Sequence, residues 1–125
     1  QATYEYHSHR LVTSEDGQDN ESIALKLNHQ GHTTVFNGSG NGPINAVIDA
    51  LGFQCDVLTY EERSIGSGSN AKAIAFVEIT TPSRITLFGV GMHDNIVSAS
   101  LAAVISAVNR AIARGALAAD ATAHI

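Results

Sequence analysis

The apolar and polar positions along this chain change period in an order that occurs twice. Residues Ser22–His29 alternate, with Ile23, Leu25 and Leu27 on one face and Ala24, Lys26 and Asn28 on the other. That is the period of a half-buried strand. Residues 3–13 are also extended, and a polar loop at Ser14–Asn20 separates them from this strand. Gln30-Gly31 marks a hairpin turn, with His32–Asn37 as the returning strand. The run Gly38-Ser39-Gly40-Asn41-Gly42-Pro43 reads as a glycine turn. Pro43 suits the first turn of a helix, where its missing N–H costs nothing. Ile44–Leu51 then has helical spacing, closed by Gly52.

The second half keeps the order. Asp56–Ser64 is extended, Ile65–Asn70 forms a loop, and Ala71–Thr80 is a nearly continuous apolar strand. Thr81-Pro82-Ser83 makes a turn, Arg84–Phe88 returns, and Gly89-Val90-Gly91 reads as a second glycine turn. Asn95–Arg114 is a long helix, with Asp94 or Asn95 as its N-cap. Its apolar and small residues cover most of its circumference, which fits either a core helix or one that also faces a second subunit. The chain thus predicts β-β-β-α twice, offset by roughly 50 residues. The fold class is α+β with antiparallel sheets. One domain spans residues 1–125, with unit one about 3–53, unit two about 55–114 and a tail at 115–125.

Composition narrows the function. The chain has 125 residues, 44% hydrophobic and 15% charged, with a formal charge of −5. This low charge content hints at surface buried against a partner. The negative balance and scattered basic residues argue against nucleic acid. Cys55 has no partner for a disulfide, which suits a reducing cytoplasm, and it reads as a buried, inert thiol. No signal peptide and no apolar run near bilayer length is evident, so no membrane partner is expected. The opening Gln1 is what a domain excised from a longer protein would show.

The glycine run followed by a helix N-terminus is the best candidate for chemistry, because free N–H groups there attract a carboxylate or phosphate. A tight turn that needs glycine only for its φ angles is the competing reading. The run is not the dinucleotide fingerprint, since its third glycine comes one residue early, and no Lys-Ser or Lys-Thr follows for a phosphate loop. His7-x-His9 resembles a metal pair on one strand face but has no third ligand at suitable spacing. Nothing such as G-x-S-x-G supports a Ser-His-Asp site. Tyr4, Tyr6, Phe36, Phe53, Phe76 and Phe88 are expected in the core.

Three stretches carry a family resemblance: Gly38–Pro43, then Val57-Leu58-Thr59-Tyr60-Glu61, then Gly89-Val90-Gly91 through Ser106-Ala107-Val108-Asn109-Arg110. With these motifs the chain resembles the C-terminal regulatory domain of 2-isopropylmalate synthases, in particular those of the long actinobacterial branch. The resemblance implies a duplicated βββα unit, a homodimer, and L-leucine bound near the dimer interface as feedback inhibitor. It places ligand contacts at Gly40, Asn41, Gly42, Pro43 and Asn45 in unit one. Unit two would add Tyr60, Ser64, Ala71, Ala73 and Ile96. Asn45 and Ser64 stand where close relatives carry alanine, which makes the expected pocket slightly more polar. The chain alone is expected to be non-catalytic and to need no cofactor. The parent's catalytic barrel would hold a divalent metal and join acetyl-CoA to 2-oxoisovalerate. Two other readings remain: an isoleucine-sensing citramalate synthase domain, or a small stand-alone enzyme for a phosphate ligand.

Overall fold

The computed structural model describes residues 4–13, 21–66 and 68–117, so the Ser14–Asn20 loop, Ser67 and the tail beyond residue 117 lie outside the described residues. Unit one consists of β1 (Tyr4–Thr13), β2 (Glu21–His29), β3 (His32–Gly40) and α1 (Pro43–Leu51). Unit two consists of β4 (Asp56–Ile65), a 3-10 turn (Gly68–Asn70), β5 (Lys72–Thr80), β6 (Thr86–His93) and α2 (Ile96–Ala113). Each unit forms an antiparallel three-stranded sheet, in the orders β1-β2-β3 and β4-β5-β6. This is the duplicated α+β plan that the sequence pattern predicts.

The β2 alternation points Ile23, Leu25 and Leu27 into the core, and Ala73, Ala75, Val77 and Ile79 do the same from β5. The β2–β3 turn has positive φ at both Gln30 (52°) and Gly31 (80°), the twist a two-residue hairpin requires. Helix α1 stops at Gly52 in the left-handed conformation.

Both expected glycine turns turn out to be strand. β3 extends through Gly40 and β6 through His93, so only Asn41-Gly42 remains as the turn before α1. The glycines serve close helix-on-sheet packing instead. A Cβ at Gly38 would lie 2.6 Å from the Ala46 carbonyl oxygen. One at Gly91 would lie 2.5 Å from the Ala103 nitrogen, and one at Gly89 would lie 2.5 Å from the Ala107 nitrogen. Ala99, Ala103 and Ala107, one turn apart on α2, face this glycine track.

Helix α2 packs on β6 and β5 and also against β1 of the other sheet. The Tyr4 backbone N–H donates to Asn109 Oδ1 at 2.8 Å, and Asn109 Nδ2 donates back to the Tyr4 carbonyl at 2.7 Å. Tyr6 Oη donates to Ser98 Oγ at 3.1 Å. Contrary to the expectation that no apolar run reaches bilayer length, α2 is long and apolar enough to cross one; 56% of it is buried inside the domain.

Two further expectations change. Tyr4 and Phe53 are core residues, with Tyr6 and Phe36 packed at its margin, but Phe76 and Phe88 lie on the outer face of the second sheet, 38% and 59% exposed. Aromatic residues suit a strand on either face, so their presence does not say which face is covered. A β-bulge between Tyr6 and Ser8 shifts the strand phase, so Tyr6 and His9 turn inward while His7 stays exposed. The two histidines therefore do not share a face.

Candidate functional site

The unit-one residues gather where β3 hands over to α1. Gly42 is the N-cap of α1, with φ 123° and no side-chain hydrogen bond to the helix start. Its carbonyl accepts the first helical bond from Ala46 N at 3.0 Å. A φ of this value is one that L side chains rarely adopt, which accounts for glycine here. Pro43 takes the first helical position, and the exposed Asn45 follows in the same turn. Gly40 ends β3 beneath this turn: a Cβ there would come within 2.9 Å of the Ala46 nitrogen. The result is a short shelf of backbone at a helix start, with Asn41 at its exposed rim. The uncapped N–H groups and the helix dipole make it suited to a carboxylate.

The unit-two residues occupy one end of the second sheet. Ser64 and Ala73 are direct cross-strand partners, and Tyr60 pairs with Val77. Cross-strand partners share a face, so Tyr60 and Ser64 lie on the same side as the buried Val77 and Ala73. Yet both are exposed, because the chain's two helices cover β3, β2, β6, β5 and β1 but leave the helix-side face of β4 open. Ala71 precedes β5, its N–H donating to the Gly68 carbonyl at 3.3 Å, and Ile96 opens α2 with its side chain half-exposed.

Polar groups fix the edges of this face. Tyr60 Oη sits 2.5 Å from Ser100 Oγ on α2 and also donates to the Glu62 carboxylate. Burial and that carboxylate raise the phenol above its ordinary range. At the start of α2, Asn95 Oδ1 accepts from Ser98 N at 3.0 Å, and Lys72 meets Asp94 at 2.5 Å. The Lys72 hydrogen bond and charge hold the Asp94 carboxyl below its usual range.

Among the described residues, no hydrogen bond or ion pair joins the unit-one group to the unit-two group. Open clefts among the described residues lie elsewhere. One runs between Arg10, Ser22, Asn37, Ser39 and Asp49, a second lies at the β2–β3 hairpin, and a third lies beside Phe53–Asp56. Among the described residues, no group of three histidine, cysteine or carboxylate side chains could hold a metal. Burial pushes the Cys55 thiol up to about 11, which leaves almost no thiolate near neutral pH. Glu62, two residues from both Tyr60 and Ser64, lies on the same side of β4 as they do.

A twice-repeated βββα fold with one strand face left uncovered describes a small α+β assembly module. The family model that matches residues 1–112 is the LeuA allosteric (dimerisation) domain. The chain belongs to that family. It is 45% identical to 2-isopropylmalate synthase of Parvibaculum lavamentivorans, over 88% of this chain and 19% of that relative. It is 44% identical to 2-isopropylmalate synthase of Ralstonia pickettii, over 87% of this chain and 20% of that protein. The same-named enzyme of Thermobifida fusca is 45% identical over 83% of this chain and 18% of its own length. The chain therefore spans about a fifth of the relatives it matches. Family membership supports a regulatory role in leucine biosynthesis.

Proposed function

We propose that this chain is the leucine-sensing module of a 2-isopropylmalate synthase, acting as a homodimer that inhibits a catalytic barrel carried by the same parent protein. The observation that carries the reading is the open β4 face: Tyr60 and Ser64 lie beside core residues but lack a cover. A second copy supplies that cover. The α1 start, with Gly40, Asn41, Gly42, Pro43 and Asn45, takes the leucine carboxylate through backbone N–H groups. Tyr60, Ser64, Ala71, Ala73 and Ile96 form the wall for the branched side chain, which loses water at about 25 cal/mol per Å². The module itself carries out no acyl transfer and needs no metal or cofactor. A divalent metal belongs to the barrel, and a biosynthetic enzyme of this kind works in the cytoplasm. Isoleucine sensing, as in a citramalate synthase, is the second reading, because the polar Asn45 and Ser64 alter the expected pocket.

Titration calorimetry of L-leucine, L-isoleucine and L-valine, with light scattering on the same samples, tests the proposal. Leucine should release the most binding heat and should tighten the dimer, as linkage requires when both subunits hold the ligand. A monomer unchanged by leucine, or a preference for isoleucine, overturns it.

Gly42→Asp provides the sharper probe. A Cβ there meets nothing within 4 Å, so the variant fits sterically and is strained only by its φ of +123°. Its charge would face the leucine carboxylate: like charges about 4 Å apart at an effective dielectric of about 20 repel by roughly 4 kcal/mol. Leucine affinity should fall by more than about a hundredfold. If the Asp variant keeps the affinity of the parent chain, the ligand is not at this turn.

A further inference from the structure

We infer that Glu62 is the counter-ion for the α-ammonium group of the bound amino acid, an inference that rests on the leucine reading above. The β4–β5 register pairs Glu62 with Ala75, which is fully buried, so Glu62 lies on the helix side of the sheet between Tyr60 and Ser64. A charge on the core-facing side of a strand is unusual, since covering it without a partner is costly. The ion pairs among the described residues are Arg63–Glu61, on the outer face, and Lys72–Asp94, so neither of these cations is paired with Glu62. Arg63 also lies over the Phe76 ring, 5.9 Å from its centroid, on the opposite side of the sheet from Glu62.

The Glu62 carboxylate is held in place without being used up. The Tyr60 hydroxyl donates to it and is itself 2.5 Å from Ser100 Oγ. With the Tyr60 proton on Glu62, Ser100 Oγ donates to Tyr60 Oη, and its place 2.9 Å from the Ile96 carbonyl fixes the relay at the start of α2. A carboxylate offers about four acceptor positions, so one hydrogen bond leaves room for an ammonium group, whose charge-assisted bonds are the stronger kind. The geometry thus puts an acceptor for the cation on the same strand face as Tyr60, Ser64 and the apolar Ala73. It also explains why ligand and second subunit would act together: a copy docked on β4 buries the Glu62 charge, and the ligand's ammonium neutralises it.

The test compares L-leucine with 4-methylpentanoate, which keeps the side chain and carboxylate but lacks the ammonium group. Calorimetry on the parent chain should show leucine bound at least about tenfold more tightly, a difference of about 1.4 kcal/mol. In Glu62→Gln that preference should vanish, through weaker leucine binding with 4-methylpentanoate unchanged. Glu62 is exposed in the isolated chain, so the ligand-free variant should keep the parent's circular dichroism spectrum, which separates lost binding from a lost fold. A Gln variant that still prefers leucine overturns the role of Glu62 and leaves the leucine reading intact. A parent chain that binds leucine no better than 4-methylpentanoate overturns this inference alone, and one that binds neither overturns both.

Discussion

The two βββα units share one plan and differ at the helix start. In unit two, α2 runs for 18 residues, is capped by the Asn95 side chain, and reaches across to β1 through Asn109 and Ser98. In unit one, α1 has 9 residues, begins at a glycine with no side-chain cap, and lies mainly on β3 and β2. The Gly-Ala contact between strand and helix is the same device in both, Gly38 against Ala46 and Ala50 in one, Gly89 and Gly91 against Ala99, Ala103 and Ala107 in the other. Duplication has therefore kept the packing and separated the duties. Unit two's helix ties the domain together, and unit one's helix start stays open to an acceptor.

The largest effect should come from attacking the shared device in the unit that binds the domain together. Gly91→Val puts a branched side chain where even a Cβ would overlap the backbone of Ala99 and Ala103. Overpacking normally costs about 1–3 kcal/mol, and backbone on both sides places this variant at or above the top of that range. Urea denaturation should show a midpoint far below the parent's or no cooperative transition. A midpoint within experimental error of the parent's would mean that α2 can lift from β6 freely.

Asn95→Ala tests the difference in capping directly. Removing the Oδ1 that accepts from Ser98 N should cost about 1 kcal/mol, read as a lower melting midpoint, with the proposed leucine binding retained. Loss of binding with stability unchanged would invert the division of duties drawn above.

The smallest effect concerns His9, a unit-one residue whose charge is felt by His93 at the end of β6. His9 Nδ1 lies 2.7 Å from Tyr6 Oη, and burial together with the nearby His93 lowers its pKa from 6.5. A histidine whose folded pKa is depressed binds its proton less readily folded than unfolded. Its contribution is present above the unfolded value of 6.5 and is lost as pH falls through and below it. The melting midpoint should decline slightly from pH 7.5 to 5.5, and His9→Gln should flatten that decline. An unchanged slope in the variant would assign the pH dependence elsewhere.

The strand alternation at Ile23, Leu25 and Leu27, the Gln30-Gly31 hairpin, Pro43 at the head of α1 and Gly52 at its end were all legible from sequence. Each is a local effect, set by side-chain period or by the φ values a residue tolerates. The order β-β-β-α, twice over, follows from them. Tertiary structure alone decided what the Gly-x-Gly pairs are for, because glycine in a turn and glycine under a helix look alike until the helix is in place. It also decided that Phe76 and Phe88 face outward, and that the bulge at His7 separates it from His9. The same holds for Glu62: in sequence it is one of two adjacent glutamates, Glu61 and Glu62, on a strand. Only the pairing with Ala75 puts its charge on the core side, and only the reach of α2 leaves that side of β4 uncovered. Register and coverage are long-range properties, fixed by which surfaces meet rather than by what any short stretch prefers.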